Sequence, residues 1–247
     1  SAYAAIQHNQ VLPLVPAIAH MLFAYAASIF CLYSVTVRQS RHIRRSFEHY
    51  VAPSVVQQLV NDPNQLKLSG DYYETTVLFT DLVGFTTLAE RLDPMALRQL
   101  LTEYFSAMVD KMLLEEGTLD KFIGDAMMCF FGVPVVQADH PERAVRTAWG
   151  MQIALQQLNQ EWAKRDLPQL GMRIGINSGR VVAGNMGTET LFNYTIMGDC
   201  VNLGARLESP NKFYGSEILV GQATRTAVGP SFAFRHLDRA ALKGKQQ

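Results

Sequence analysis

Asp81 and Asp125 each sit beside a glycine at the edge of an apolar, strand-like run. The first lies in Phe79-Thr80-Asp81-Leu82-Val83-Gly84-Phe85-Thr86 and the second in Lys121-Phe122-Ile123-Gly124-Asp125. Two carboxylates so placed are hard oxygen donors, suited to gripping a pair of divalent ions against a triphosphate. Taken alone, an aspartate in a Gly-Asp turn is explained by turn chemistry; the pairing with Asp81 weakens that explanation. A second polar pair follows at Asn202 and Arg206, four residues apart and so on one helix face. The flanking Val201, Leu203, Ala205 and Leu207 place this pair on the inner face of an otherwise apolar helix, as ligand contacts. A solvated stripe of Arg206 and Glu208 is the alternative.

The elements that must position these groups follow from periodicity. Thr75 to Thr80 is β-branched and apolar, a buried strand with Asp81 at its C-terminal end. Gly84 lets the backbone turn, so that free N–H groups around Gly84, Phe85 and Thr86 face phosphate oxygens. Asp93-Pro94 opens a helix, whose stripe of Leu97, Leu100, Leu101, Tyr104, Phe105, Met108 and Met112 is core, and Gly117 ends it. Thr118 to Ile123 and Ala126 to Phe131 form a hairpin about Gly124-Asp125. Asp139-His140-Pro141 opens a second long helix to about Lys164, with Asp139 and Glu142 as a capping box. His140 there reads as local structure and not as a metal ligand. Gly171 to Asn177, carrying Arg173, is a strand, and Val181 to Gly184 with Asn193 to Met197 a further strand pair. Gly198-Asp199 caps the helix of Asn202 and Arg206. The order strand–helix–strand–strand–helix–strand describes an α+β, ferredoxin-like sandwich of antiparallel sheet and helices, a fold that by itself assigns no function.

The 247 residues are 48% hydrophobic and carry a formal net charge of zero. That balance gives no basis for a nucleic-acid partner. Cys31, Cys129 and Cys200 match no zinc or disulfide spacing and read as buried free thiols. Residues 1–37 contain no Asp, Glu, Lys or Arg, and Arg38, Arg41, Arg44 and Arg45 follow at once. The run is long enough to span a bilayer as a helix. The charge order is the reverse of a signal peptide and puts the C-terminal side in the cytoplasm, with the chain at the inner membrane. The expected organisation is the end of a sensory region and a transmembrane helix over 1–37, a helical transducer over 38–70 with Pro53 opening its second helix, and a catalytic domain over 71–247. A start without Met and an abrupt stop after Gln247 read as a fragment of something longer.

Residues 72–245 resemble the class III nucleotidyl cyclase catalytic domain, and more closely the bacterial adenylate cyclases. The resemblance runs through FTDLVGFT, KFIGDAMM, GMRIGINSGRVVAGNMG, IMGDCVNLGARLE and LKGK, in the family's order and spacing. It implies a ferredoxin-like cyclase fold, and Asp81 and Asp125, with the Leu82 carbonyl, as ligands of two divalent ions, Mg²⁺ or Mn²⁺. It implies Arg173 and Lys243 as phosphate contacts, and Lys121 and Thr195 as purine-selecting residues. Asn202 would orient the ribose and Arg206 stabilise the transition state. It also implies a head-to-tail homodimer, one protomer supplying the metal aspartates and its partner the base, ribose and phosphate contacts. Lys121 donates to adenine N1 and the Thr195 hydroxyl accepts from the 6-amino group, whereas guanine would want a carboxylate at position 121. ATP is therefore the expected substrate, cyclic AMP and pyrophosphate the products. Thr195 is similar to the residue of the bicarbonate-responsive subgroup. The rival readings are a guanylate cyclase, which Lys121 disfavours, and a silent regulatory domain, from which an aspartate or the Asn–Arg pair would be missing.

Overall fold

The computed structural model describes residues 18–29, 70–188 and 192–238. The chain divides into two units, Ser1–Ser46 and Phe47–Gln247. In the first, residues 18–29 form a helix on which Met21, Leu22, Phe23 and Tyr25 are exposed. Among the described residues no helix is long and apolar enough to cross a membrane. Most of the span expected over 1–37, and the transducer expected over 38–70 apart from Gly70, lie outside the described residues.

The second unit contains β1 (Asp71–Leu82), α1 (Phe85–Arg91), α2 (Pro94–Leu114), β2 (Thr118–Ile123), β3 (Ala126–Phe131), α3 (His140–Lys164), β4 (Met172–Gly187), β5 (Phe192–Met197), α4 (Asp199–Glu208), α5 (Asn211–Tyr214), β6 (Ile218–Val220) and α6 (Gln222–Val228). The strands form one sheet in the order β2-β3-β1-β4-β5. Its β4-β1-β3-β2 portion is antiparallel throughout and is the ferredoxin-like core expected from the element order. β5 and β6 share the outer edge of β4, with β6 parallel beside Ile174–Ile176 and β5 antiparallel beside Val182–Gly187.

Sequence patterning broke β4 into two strands at the polar run Asn177-Ser178-Gly179-Arg180. The structure runs straight through it, because β1 pairs along almost its whole length, from Asp71 opposite Ala183 to Leu82 opposite Met172. Polar groups in the middle find partners inside the fold, although Asn177 Oδ1 has none among the described residues. Asn177 Nδ2 donates to the Cys200 carbonyl at 3.1 Å, and the Ser178 hydroxyl lies 2.6 Å from Thr76 Oγ1 and 2.8 Å from Thr224 Oγ1. His140 Nδ1 joins the same cluster, 2.7 Å from Thr76 Oγ1, which bears out its structural reading.

Alternation along the strands separates two cores. Leu78, Leu82, Met127, Cys129, Ile174 and Ile176 pack with Tyr104, Met108, Met151 and Trp162 of α2 and α3. Val77, Met128, Phe130, Val181 and Ile196 point to the other face, where Cys200 of α4 joins them. α4 lies on this face through two glycines. A Cβ on Gly175 would stand 2.6 Å from the Glu208 nitrogen and the Gly204 carbonyl oxygen, and a Cβ on Gly204 would stand 2.7 Å from Val77 Cγ1. Backbone cannot yield as a flexible side chain can. Gly175→Ala should therefore destabilise the fold by about 3 kcal/mol, at the upper end of typical overpacking costs. A wild-type midpoint in urea unfolding would contradict so close an approach.

Helix ends depart from the sequence reading in two places. At the end of α2 the left-handed residue is Glu116, not Gly117, with φ of 55°. Gly117 N–H donates to the Met112 carbonyl and Glu116 N–H to that of Leu113, a Schellman arrangement. Gly117 is required for space, since its Cβ would lie 2.7 Å from Met112 Cγ and Phe131 Cε1. At α3 the expected capping box does not form. Asp139 instead accepts from Arg143 Nε at 2.7 Å, and Glu142 faces Arg146 at 3.5 Å, so arginines occupy both carboxylates. The start of α2 is as read, with Asp93 accepting from the Met95 and Ala96 amides.

Candidate functional site

Asp81 is the penultimate residue of β1, directly opposite Arg173 on β4. Asp125 occupies the β2–β3 turn, where Gly124 takes a φ of 65°. The two segments meet where the Leu82 N–H donates to Asp125 Oδ2 at 3.3 Å. One hydroxyl fastens the strands just behind this meeting point. Thr80 Oγ1 accepts from the Met127 amide at 3.1 Å and from the Tyr104 hydroxyl at 3.4 Å. Tyr104, a core-stripe residue by periodicity, thus also braces the turn that holds Asp125. Its hydroxyl is driven far above the ordinary tyrosine range, chiefly by burial, with the Asp125 and Asp81 charges adding to it.

The electrostatics are those of crowded carboxylates. Burial, then the Asp125 charge, raises Asp81, against a hydrogen bond from Glu208 and the charge of Arg173. Burial, then the Asp81 charge, raises Glu208, whose carboxyl lies against that of Asp81. Like charges gathered in a half-buried place without enough compensating cation are what a divalent ion relieves. Among the described residues no three His, Cys, Asp or Glu side chains are arranged to hold an ion by themselves. Asp81 and Asp125 therefore fit ions whose remaining ligands are supplied by backbone, water and a polyanionic substrate. Glu208 was missed as a site residue by sequence reasoning, which saw it only as part of a solvated stripe.

Gly84, with φ of 72°, turns the chain into α1. The Phe85 and Thr86 amides are among those a helix start leaves open. The preceding Val83 amide donates to the Gly171 carbonyl at 2.8 Å, tying this loop to the start of β4.

Asn202 and Arg206 do not lie on the inner face of α4. Both are exposed, and the buried residues are Cys200 and Gly204. The tight contact at Gly175 explains this, because it needs the small residues of α4 against the sheet. Glu208 turns toward Asp81, and Arg206, two residues earlier, lies about 200° around the helix. Arg206 thus faces away from the Asp81 of its own chain. Lys121 is exposed on β2 and Thr195 half-buried on β5, the two ends of the strand order. Lys243 lies outside the described residues. One locus therefore unites Asp81, Leu82, Asp125 and Arg173, with Glu208 added, while Asn202 and Arg206 form a separate outward face.

Other features are not chemistry-bearing in the same way. A cavity of about 1140 Å³, lined in part by Trp149, Leu207, Ile218, Phe232 and Phe234, includes none of the residues above. Cys129 and Cys200 are buried free thiols. Burial pushes Cys200 up to about 11 and Cys129 higher still, which leaves both as thiols and not nucleophiles. Cys31 lies outside the described residues.

Residues 69–247 match the family model described as the adenylate and guanylate cyclase catalytic domain. The chain is 34% identical over 172 residues to adenylate cyclase 1 of Rhizobium meliloti (strain 1021), a stretch covering 70% of this chain and 26% of that protein. It is 32% identical over 179 residues to an adenylate cyclase of Anabaena cylindrica, covering 70% and 35%. The chain thus spans about a quarter to a third of the length of these curated relatives. Among solved structures, the adenylyl cyclase CyaB from P. aeruginosa is 36% identical with a TM-score of 0.67, over 72% of this chain and 91% of that one. The guanylyl cyclase Cya2 is 37% identical with the same TM-score, over 72% and 89%.

Proposed function

Because the chain belongs to the adenylate and guanylate cyclase catalytic-domain family, we propose that it converts ATP to 3′,5′-cyclic AMP and pyrophosphate in sites shared between two copies. The observation that carries this reading is the juncture of β1 and the β2–β3 turn, where the Leu82 amide holds Asp125 beside Asp81. Asp81, Asp125 and the Leu82 carbonyl would hold two ions, Mg²⁺ or Mn²⁺. When bound, such ions lower the pKa of an attacking hydroxyl and neutralise a triphosphate. Arg173, beside Asp81, offers fixed donors to phosphate oxygens, and so do the open amides at Phe85 and Thr86 and the ammonium of Lys243. Arg206 meets the charge that develops as pyrophosphate leaves, and Asn202, on the same face, orients the ribose. Lys121 and Thr195 select adenine.

The reaction is in-line attack by the ribose 3′ oxygen on the α-phosphorus, with pyrophosphate leaving opposite. The 3′-hydroxyl proton passes to solvent, and no side chain of the chain is needed as a dedicated general base. Thr195 at the second purine position supports stimulation by bicarbonate. The charge-free run before Arg38 supports anchoring at the inner membrane, with residues 71–247 as the catalytic domain on the cytoplasmic side.

The test is product formation by the full chain from ATP and from GTP, with Mg²⁺ or Mn²⁺, at fixed pH and graded bicarbonate. Cyclic AMP should dominate, and Lys121→Ala should collapse the preference for ATP. Cyclic GMP as the main product would establish the guanylate cyclase reading, to which the likeness to Cya2 lends weight. Activity flat across bicarbonate would remove the bicarbonate assignment alone.

A further inference from the structure

Asp120 is a buried carboxylate that the proposed reaction does not use. Its side chain is 1% exposed, and its ionic partner is the amine of the next residue, Lys121, with Nζ 3.2 Å from Oδ2. The amine lacks the alignment of a hydrogen bond, and neither carboxylate oxygen has a hydrogen-bond partner among the described residues. Consecutive residues of a regular strand point to opposite faces, so such neighbours do not normally meet. Here the ladder between β2 and β3 slips. Leu119 pairs with Cys129 and Lys121 with Met128, which leaves Asp120 as the extra residue of a bulge. A bulge re-aims side chains, and this one brings Asp120 and Lys121 together.

The chemistry runs in one direction. Burying a carboxylate is costly without a cation at hand, and Lys121 is the cation beside Asp120. Lys121 in return is about half exposed, on a flexible four-carbon stem that would otherwise sample solvent. Its ammonium has three donors. Held beside Asp120 by charge alone, it keeps those donors for a ligand in the sector next to the hairpin.

We propose that Asp120 is the positioning residue for base recognition, holding the Lys121 ammonium aimed so that it meets the acceptor N1 of adenine. The proposal rests on the reading of Lys121 as the purine donor. It adds that ATP selectivity belongs to the Asp120–Lys121 pair and not to the lysine alone. Because guanine offers a donor at N1, an ammonium aimed at that position favours ATP over GTP. The pair also resists conversion to guanine recognition, since Lys121→Glu would set a second carboxylate against the buried one.

A double-mutant cycle tests this, with kcat and KM for ATP and for GTP measured on the wild type, Asp120→Asn, Lys121→Ala and the double variant. Asp120→Asn should lower kcat/KM for ATP roughly tenfold, the scale of one charge-assisted contact, mostly through KM, and should leave GTP use nearly unchanged. In the Lys121→Ala background the same change should leave the ATP-to-GTP ratio where it was. Equal losses for both nucleotides, or an undiminished effect without the lysine, would mean that Asp120 serves the fold only and would overturn the proposal. If Asp120→Asn does not fold, Asp120→Glu is measured in its place. It keeps the charge but shifts it by one methylene, and an unaltered ratio there counts against the proposal. If Lys121→Ala itself retains full selectivity, the reading of Lys121 fails and the proposal falls with it. If Lys121→Ala loses selectivity and the Asp120 variant keeps it, only the proposal fails.

Discussion

Asp81→Ala and Asp125→Ala should each lower turnover of ATP by at least about a thousandfold, the several kcal/mol that an ion clamp contributes. The two losses should not multiply in the double variant, because either removes the same clamp. The geometry that motivates this is a shared position, Asp125 being hydrogen-bonded to the residue that follows Asp81. A readout besides activity is available. Mn²⁺ should raise the thermal midpoint of the wild type by mass action on the folded state and should not raise that of Asp81→Ala. The ion-free protein gives a third. Asp81 and Glu208 carry raised pKa values in the fold. Their contribution to stability is thus fully present below the carboxylate values of the unfolded chain and is lost as pH rises through the raised ones. Asp81→Asn removes that loss, so the variant should gain on the wild type as pH climbs from the carboxylate range toward neutrality. Wild-type turnover in either alanine variant would defeat the shared-clamp assignment, and a pH-independent difference for Asp81→Asn would contradict the crowding of Asp81 with its neighbouring carboxylates.

What could be read in advance depended on how local its cause was. The hairpin at Gly124-Asp125 and the start of α2 were legible because turn residues, alternation and an aspartate before a proline act over a few positions. The continuity of β4 was not, because its polar middle is stabilised by Thr76, Cys200 and Thr224, partners remote in sequence. The exposure of Asn202 and Arg206 was misjudged for a related reason. Periodicity counts apolar neighbours, whereas the orientation of α4 is fixed by the contact between Gly175 and Gly204, two residues with no hydropathy signal to offer. Glu208 and Asp120 escaped notice because charge in a sequence reads as surface. Only the fold turns one toward Asp81 at the end of α4 and encloses the other in a bulge of β2. The motifs supplied identities, and the fold supplied directions.

Direction is what makes the second large effect. Glu208 reaches the Asp81 of its own chain, and helix geometry then carries Arg206 to the far side of α4. On the proposed reading, an arginine facing away from its own aspartates would serve those of another copy, and the self-complementary pairing of two identical chains would give two equivalent shared sites. Asp81→Ala and Arg206→Ala should therefore each be inactive alone and active together. Mixed in equal amounts and allowed to exchange, half of the dimers pair one variant with the other. In such a dimer one site carries both lesions and the other carries neither. Recovery should approach about one quarter of wild-type activity, with the concentration dependence of a dimer. Asp81→Ala mixed with Asp125→Ala provides the control. Both lesions fall on the same half of the site, each site of the mixed dimer retains one of them, and no activity should return. Recovery in that control, or none in the first mixture despite proven exchange, would place Arg206 and Asp81 in the same chain's site, against the orientation of α4.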